Sequence, residues 1–157
     1  MGNTTTYTYD SAKRLSTKTL PNGLKTTYSY DEVGNLTQEN TNSHITKYTY
    51  SGNNLTSKKD PNGNTVTYSY DGSNRPKKEK YQDGSTNSVV YDGNGNVTQR
   101  IDQYGNITKY KFDSNNNNTK VIDPKGNITL YEYDKEGNNT LLIGYEYYSE
   151  NFIIVWN

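Results

Sequence analysis

Seven aromatic residues recur along the chain at nearly constant spacing. Tyr9, Tyr30, Tyr50, Tyr70, Tyr91, Phe112 and Tyr133 are separated by 21, 20, 20, 21, 21 and 21 residues. Each closes a short stretch: YTYD, YSYD, YTYS, YSYD, VVYD, YKFD and YEYD. Self-similarity at this period restricts the chain to a tandem array of one small supersecondary element.

Each repeat holds two turn signals. One follows the aromatic step, as in DEVGN (31–35), DGNGN (92–96) and DKEGN (134–138). The other comes about ten residues later, as in DPNGN (60–64), DQYGN (102–106) and DPKGN (123–127). Asp opens a type I turn through its side chain, and Pro pre-sets φ at the next position. Gly then takes the left-handed conformation that makes a bulged hairpin. Between turns, Thr, Tyr, Val and Ile alternate with polar residues, as in TVTYSYD and VTQRID. Period-two alternation puts Tyr68 and Tyr70 on one face, and Val97, Gln99 and Ile101 likewise share one. The expected fold is all-β: tandem antiparallel β-hairpins with no helical periodicity up to residue 140.

Composition sets the stakes. Leu, Ile, Val and Phe total only 25 of 157 residues, a content at which disorder or aggregation through open edges is a real alternative. The 17 tyrosines and a net charge of zero oppose it. The aromatics of one repeat cannot offset the entropy of ordering some 21 residues. Repeats must therefore share hydrogen-bonded edges and stack tyrosine on tyrosine.

The motif resembles the signature of the YD-repeat (Rhs) family: Tyr-Asp, two variable residues, Gly, Arg or Asn, then an aliphatic. Tyr30, Asp31, Gly34, Asn35 and Leu36 match it, as do Tyr91, Asp92, Gly95, Asn96 and Val97, and Tyr133, Asp134, Gly137 and Asn138. Tyr9-Asp10 with Arg14-Leu15, Tyr70-Asp71 with Arg75-Pro76, Tyr50-Ser51 and Phe112-Asp113 are degenerate copies. The resemblance spans about residues 4 to 140. It implies an open segment of a curled, spiral sheet of the kind that forms shells in bacterial polymorphic toxins, wall-associated proteins, insecticidal toxin complexes and teneurins. It further implies a secreted or cell-surface location and, as partners, the rest of a larger YD-repeat protein or a C-terminal toxin effector. Seven repeats are too few to enclose a cavity. Toxins of the family release the effector near Asp-Pro-x-Gly-Leu; here Asn64 and Asn127 occupy the Leu position and LPNGL lacks the Asp, so all three read as repeat turns.

Catalytic and metal chemistry find little material. With 17 Lys+Arg against 17 Asp+Glu, no strong basic field exists to recruit nucleic acid, and no membrane insertion is expected. Cysteine is absent and His44 is the single histidine, an exposed loop residue with no carboxylate at motif spacing. No nucleophile constellation can be assembled, so the chain is expected not to be an enzyme and to need no cofactor. Asp92, Asn94 and Asn96 resemble the start of a calcium loop, but Val97 and Gln103 stand where Gly and a bidentate Glu are needed. The sequons at Asn35, Asn54, Asn96, Asn106 and Asn127 recur because Gly-Asn-aliphatic-Thr restarts a strand. Met-Gly with Thr6 is a loose match to a myristoylation pattern, and the N-terminus lacks the basic and apolar regions of a signal peptide.

The tyrosine rows carry the alternative. Aromatics beside Asn, Thr and Asp also make a carbohydrate or cell-wall surface, with Tyr28, Tyr48, Tyr68, Tyr110 and Tyr131 as stacking candidates and polysaccharide as partner. Alternation leaves one face of the sheet free, so intersheet packing and glycan binding are compatible on opposite faces. Residues 141–157, LLIGYEYYSENFIIVWN, break the repeat; the segment is expected to be either a capping strand or the truncated end of a longer gene. The expected function is a structural scaffold segment of an Rhs-type protein.

Overall fold

A computed structural model describes residues 4–148 and 151–156. Strands and turns account for nearly all of them, and no helix occurs among the described residues. The chain divides into two compact units. One runs to Arg75 and takes in Glu79–Gly84; the other holds Pro76–Lys78 and the residues from Ser85 onward.

The first unit contains β1 (Thr6–Tyr9), β2 (Leu15–Thr19), β3 (Lys25–Tyr30), β4 (Leu36–Thr41), β5 (His44–Ser51), β6 (Asn54–Lys59) and β7 (Thr65–Tyr70). Each pairs antiparallel with the next in chain order. Strand β8 (Pro76–Lys80) is shared between the units. The second unit contains β9 (Thr86–Tyr91), β10 (Val97–Ile101), β11 (Ile107–Phe112), β12 (Asn118–Ile122), β13 (Ile128–Tyr133), β14 (Asn139–Tyr148) and β15 (Asn151–Trp156). These too pair antiparallel in sequence. The expected architecture of tandem antiparallel hairpins is what the chain adopts.

The turns form as their residues dictate. In DPNGN, the Gly63 N–H donates to the Asp60 carbonyl at 3.0 Å and the Asp60 N–H to the Asn64 carbonyl at 2.9 Å. Gly63 sits at φ +91°, the left-handed conformation that closes the bulged hairpin. Among the turns whose residues are described, two depart from this plan. Between β4 and β5 the chain reverses over Asn42 and Ser43, both at positive φ, a two-residue turn of the I′ type. Between β5 and β6 it reverses at Gly52. These tighter turns account for the 20-residue intervals around Tyr50.

No hydrophobic side chain among the described residues is fully buried. The described residues of each unit form sheet without a second layer, and burial comes from neighbouring side chains on the same face. Cross-strand register fixes those faces. In the first unit Tyr28 lies opposite Glu39, Glu39 opposite Thr46, Tyr48 opposite Lys58 and Lys58 opposite Val66. With side chains alternating, Tyr7, Tyr9, Tyr28, Tyr30, Tyr48, Tyr50, Tyr68 and Tyr70 all share one face. In the second unit Val89 opposite Arg100, Arg100 opposite Thr108, Tyr110 opposite Val121 and Val121 opposite Thr129 do the same for Tyr91, Tyr110, Phe112, Tyr131 and Tyr133. The segment expected to break the repeat from residue 141 lies largely in β14 and β15, which extend the second unit by a hairpin.

Candidate functional site

Among the described residues one polar arrangement recurs at both turns of a repeat, the aspartate clamp, found after the tyrosine as at Asp31 and at the second turn as at Asp60. In Asp31 the Oδ1 oxygen accepts the N–H groups of Val33 at 3.1 Å and Asn35 at 2.8 Å, while Oδ2 accepts the Asn35 side-chain amide at 2.9 Å. The same three bonds recur at Asp60 with Asn62 and Asn64 and at Asp92 with Asn94 and Asn96. Asp102, Asp113, Asp123 and Asp134 repeat them with the residues two and four positions on. Where the sequence has Arg instead of Asn, the guanidinium takes the amide's place: Arg14 Nε reaches Asp10 Oδ2 at 2.8 Å, and Arg75 Nε reaches Asp71 Oδ2 at 2.6 Å. The signature tolerates Arg or Asn at this position because both donate to the second carboxylate oxygen.

These bonds hold the carboxyls of Asp10, Asp31, Asp60, Asp71, Asp92, Asp102, Asp113 and Asp134 below the ordinary range. For Asp31, Asp60, Asp102 and Asp134 the leading cause is the Asn side-chain amide four residues on. For Asp10, Asp71 and Asp113 it is the backbone N–H of the residue four on. At Asp92 desolvation pushes upward most strongly, and the combined bonds from Asn96, Asn94 and Gly95 outweigh it.

The tyrosine works between repeats. Tyr30 Oη donates to the Leu15 carbonyl at 2.9 Å, Tyr70 Oη to Leu55 at 3.0 Å, Tyr91 Oη to Pro76 at 2.7 Å and Tyr133 Oη to Asn118 at 2.9 Å. Each acceptor lies fifteen residues back, at the aliphatic position of the preceding repeat. The turns are tied one repeat apart as well. Arg14 donates to the Asp31 carbonyl, Asn35 to the Gly52 carbonyl, Asn54 to Asn74 Oδ1 and Asn96 to Asn116 Oδ1. Arg14 also sits 4.8 Å from the Tyr30 ring centre, a cation–π contact.

The structure gives the singled-out residues these places. Asp92, Asn94 and Asn96 are spent on the turn, and among the described residues no cluster of His, Asp and Glu has the grouping to hold a metal. Of the sequon asparagines, Asn35, Asn96, Asn106 and Asn127 use their amides to hold Asp; Asn54 bonds Asn74. His44 opens β5 opposite Thr41, with Nδ1 3.2 Å from the Asn42 carbonyl. The stacking candidates Tyr28, Tyr48, Tyr68, Tyr110 and Tyr131 are half-buried on the same face as the second aromatics of their repeats. Burial raises the hydroxyl pKa of Tyr28, Tyr48 and Tyr68, reinforced by Glu39 at the first two and by Glu79 at the third. Packing and stacking tyrosines are thus not divided between opposite faces: in the first unit the opposite face carries Lys25, Thr27, Lys47, Thr49, Lys59 and Thr67 instead.

A tyrosine hydroxyl locked to the previous repeat, followed by an aspartate clamped to the residue four on, defines a YD-type repeat protein. Residues 9–46 and 48–86 match the model of the RHS Repeat. That stretch of the chain carries RHS repeats. No curated protein matches it. Similar folds occur in the crystal structure of TcdB2-TccC3-Cdc42 (TM-score 0.79, 19% identity over 96% of this chain). They occur also in the Photorhabdus luminescens Tc holotoxin pore with a TccC3 variant (TM-score 0.78, 19% identity, 97%). A third example is TcdB2-TccC3 without its hypervariable C-terminal region (TM-score 0.78, 19% identity, 96%). The chain spans 9% of the length of each of these.

Proposed function

We propose that the chain serves as a structural scaffold segment of a larger secreted or cell-surface Rhs-type protein, contributing sheet to a shell around a C-terminal effector. The supporting observation is how the polar groups are used. Carboxylates, sequon amides and tyrosine hydroxyls that would be candidates for chemistry are consumed in bonds that repeat with the period and join one hairpin to the next. Such an arrangement builds sheet and assembles no reaction centre, which favours a non-enzymatic role. The small share of the Tc toxin chains that this sequence covers fits a segment of a longer wall.

The test is to raise antibodies against residues 31–70, locate the native polypeptide in the cells that make it, and follow it through fractionation. A band much larger than 157 residues, at the cell surface or in the medium, supports the proposal. A cytosolic band of 157 residues would overturn it. The glycan-binding reading of Tyr28, Tyr48, Tyr68, Tyr110 and Tyr131 has weaker support, since their rings are half-buried within their rows. Retention of the chain on insoluble polysaccharide, lost on replacing Tyr48 and Tyr68 by Ala in a variant that still folds, would revive it.

A further inference from the structure

The face opposite the tyrosines is not alike in the two units. Beside the second turn of a repeat, the first unit pairs Thr19 with Lys25 and Lys59 with Thr65. At the same positions the second unit pairs Ile101 with Ile107 and Ile122 with Ile128, and Leu130 with Ile143 continues the apolar surface. At this position the first unit has only Ile45, opposite Asn40, and no aliphatic pair, so the hairpins do not require the isoleucine pairs. They are half-buried at most, Ile107 being 38% exposed.

Next to them lies a cluster of lysines. Lys109 and Lys111 alternate along β11 onto this face, and Lys111 is directly opposite Lys120 on β12. Like charges directly opposite repel, and neither ion pair among the described residues involves any of the three. Two carboxylates are nearby. Glu132 shares the face, diagonal to Lys120, whose direct partner is Leu130. Asp123 is committed to its own turn, accepting from the N–H groups of Lys125 and Asn127 and from the Asn127 amide. Positive charge on this face therefore exceeds what the chain itself supplies to balance it. Between turns 102–106 and 123–127 runs an open groove of about 420 Å³, with Ile107, Ile122 and Pro124 as its apolar lining and Lys109 at its side.

We infer that this face of the second unit docks an acidic peptide segment with interspersed aliphatic side chains. Aliphatic groups of the partner seat in the groove against Ile107, Ile122 and Pro124, and its carboxylates meet Lys109, Lys111 and Lys120. Apolar contact beside matched charge suits a protein partner. A nucleic acid backbone draws chiefly on charge and leaves the aliphatics uncovered. The inference does not depend on the chain being part of a shell.

The test is calorimetric titration of the full chain with a short synthetic peptide of alternating Glu and Ile. An all-Glu peptide and vesicles containing phosphatidylserine serve as comparisons. Saturable binding of the alternating peptide that weakens with salt is expected, falling roughly tenfold in the double variant Lys111→Gln/Lys120→Gln and in Ile107→Thr. The double variant Lys47→Gln/Lys59→Gln in the first unit should bind like the unaltered chain, and thermal melts establish that every variant is folded. Equal binding of the all-Glu peptide, full affinity in the Lys111/Lys120 variant, loss in the Lys47/Lys59 variant, or binding of vesicles but not peptide would each overturn the inference.

Discussion

Phe112 offers a direct way to weigh the hydroxyl lock. It stands where Tyr30, Tyr70, Tyr91 and Tyr133 stand in their repeats, and those four hydroxyls each reach a carbonyl fifteen residues back at 2.7 to 3.0 Å. Fifteen residues before Phe112 is Val97, which opens β10 as Leu15 opens β2. Phe112→Tyr therefore supplies a donor to the Val97 carbonyl while keeping the half-buried ring. One neutral hydrogen bond of this kind stabilises by about 1 kcal/mol, which for a chain of this length raises Tm by roughly 2–4 °C. The converse change, Tyr70→Phe, removes the bond to Leu55 and leaves its carbonyl without that partner, lowering stability by a similar or somewhat larger amount. Urea unfolding of both variants followed by far-ultraviolet circular dichroism measures the two effects. If Phe112→Tyr proves neutral or destabilising and Tyr70→Phe proves neutral, ring packing alone holds the repeats and the lock contributes nothing.

Three further outcomes are expected. Asn118 stands at the position filled by Leu36 and Val97 in other repeats, and its buried Oδ1 has no hydrogen-bond partner; Asn118→Val should stabilise by about 1–3 kcal/mol in the same urea assay, and a loss would refute the assignment. Ser43 at φ +68° and Lys13 at φ +61° hold a conformation suited to Gly, so Ser43→Gly and Lys13→Gly should each relieve about 1 kcal/mol of strain, read as a higher Tm in thermal melts. Acid should unfold the chain through its turns. The depressed carboxyls of Asp31, Asp60, Asp102 and Asp134 stabilise the fold fully above the unfolded-state pKa of about 4 and lose that contribution as pH falls through the lower folded values. Tm is thus expected to be level from about pH 7 to 5 and to drop below about pH 4; a Tm that holds steady to pH 2 would contradict the clamps.

Much of this was legible in the residues. The period, the bulged turns at Asp-x-x-Gly-Asn and the role of Asp in accepting backbone N–H bonds follow from local chemistry, and local chemistry needs no partner. Two features were not legible. The Tyr30 hydroxyl bonds Leu15 across two adjacent strands, and only strand register reveals which carbonyl a ring tip meets. The alternation of Tyr28 and Tyr30 places both on one face, but whether Tyr48 and Tyr68 share it depends on every intervening turn, including the two-residue reversal at Asn42 and Ser43. In the repeat phase NTNSH (40–44) stands where DPNGN (60–64) stands, yet the chain reverses there over two residues, and that shortness keeps the rows in phase despite a 20-residue interval. The second carboxylate bond was also missed, although its signal was present: Asn or Arg recurs four residues after Asp.

The central claim is that the chain is an ordered sheet whose aspartate clamps and strand ladders repeat together. Amide hydrogen exchange resolved by residue tests it most directly. Slow exchange should recur with the roughly 21-residue period in the strands and extend into the turns at Asn35, Asn64, Asn96 and Asn138, whose N–H groups bond Asp. Exchange at unfolded-chain rates throughout, or protected strands with those turn amides fully unprotected, would contradict it.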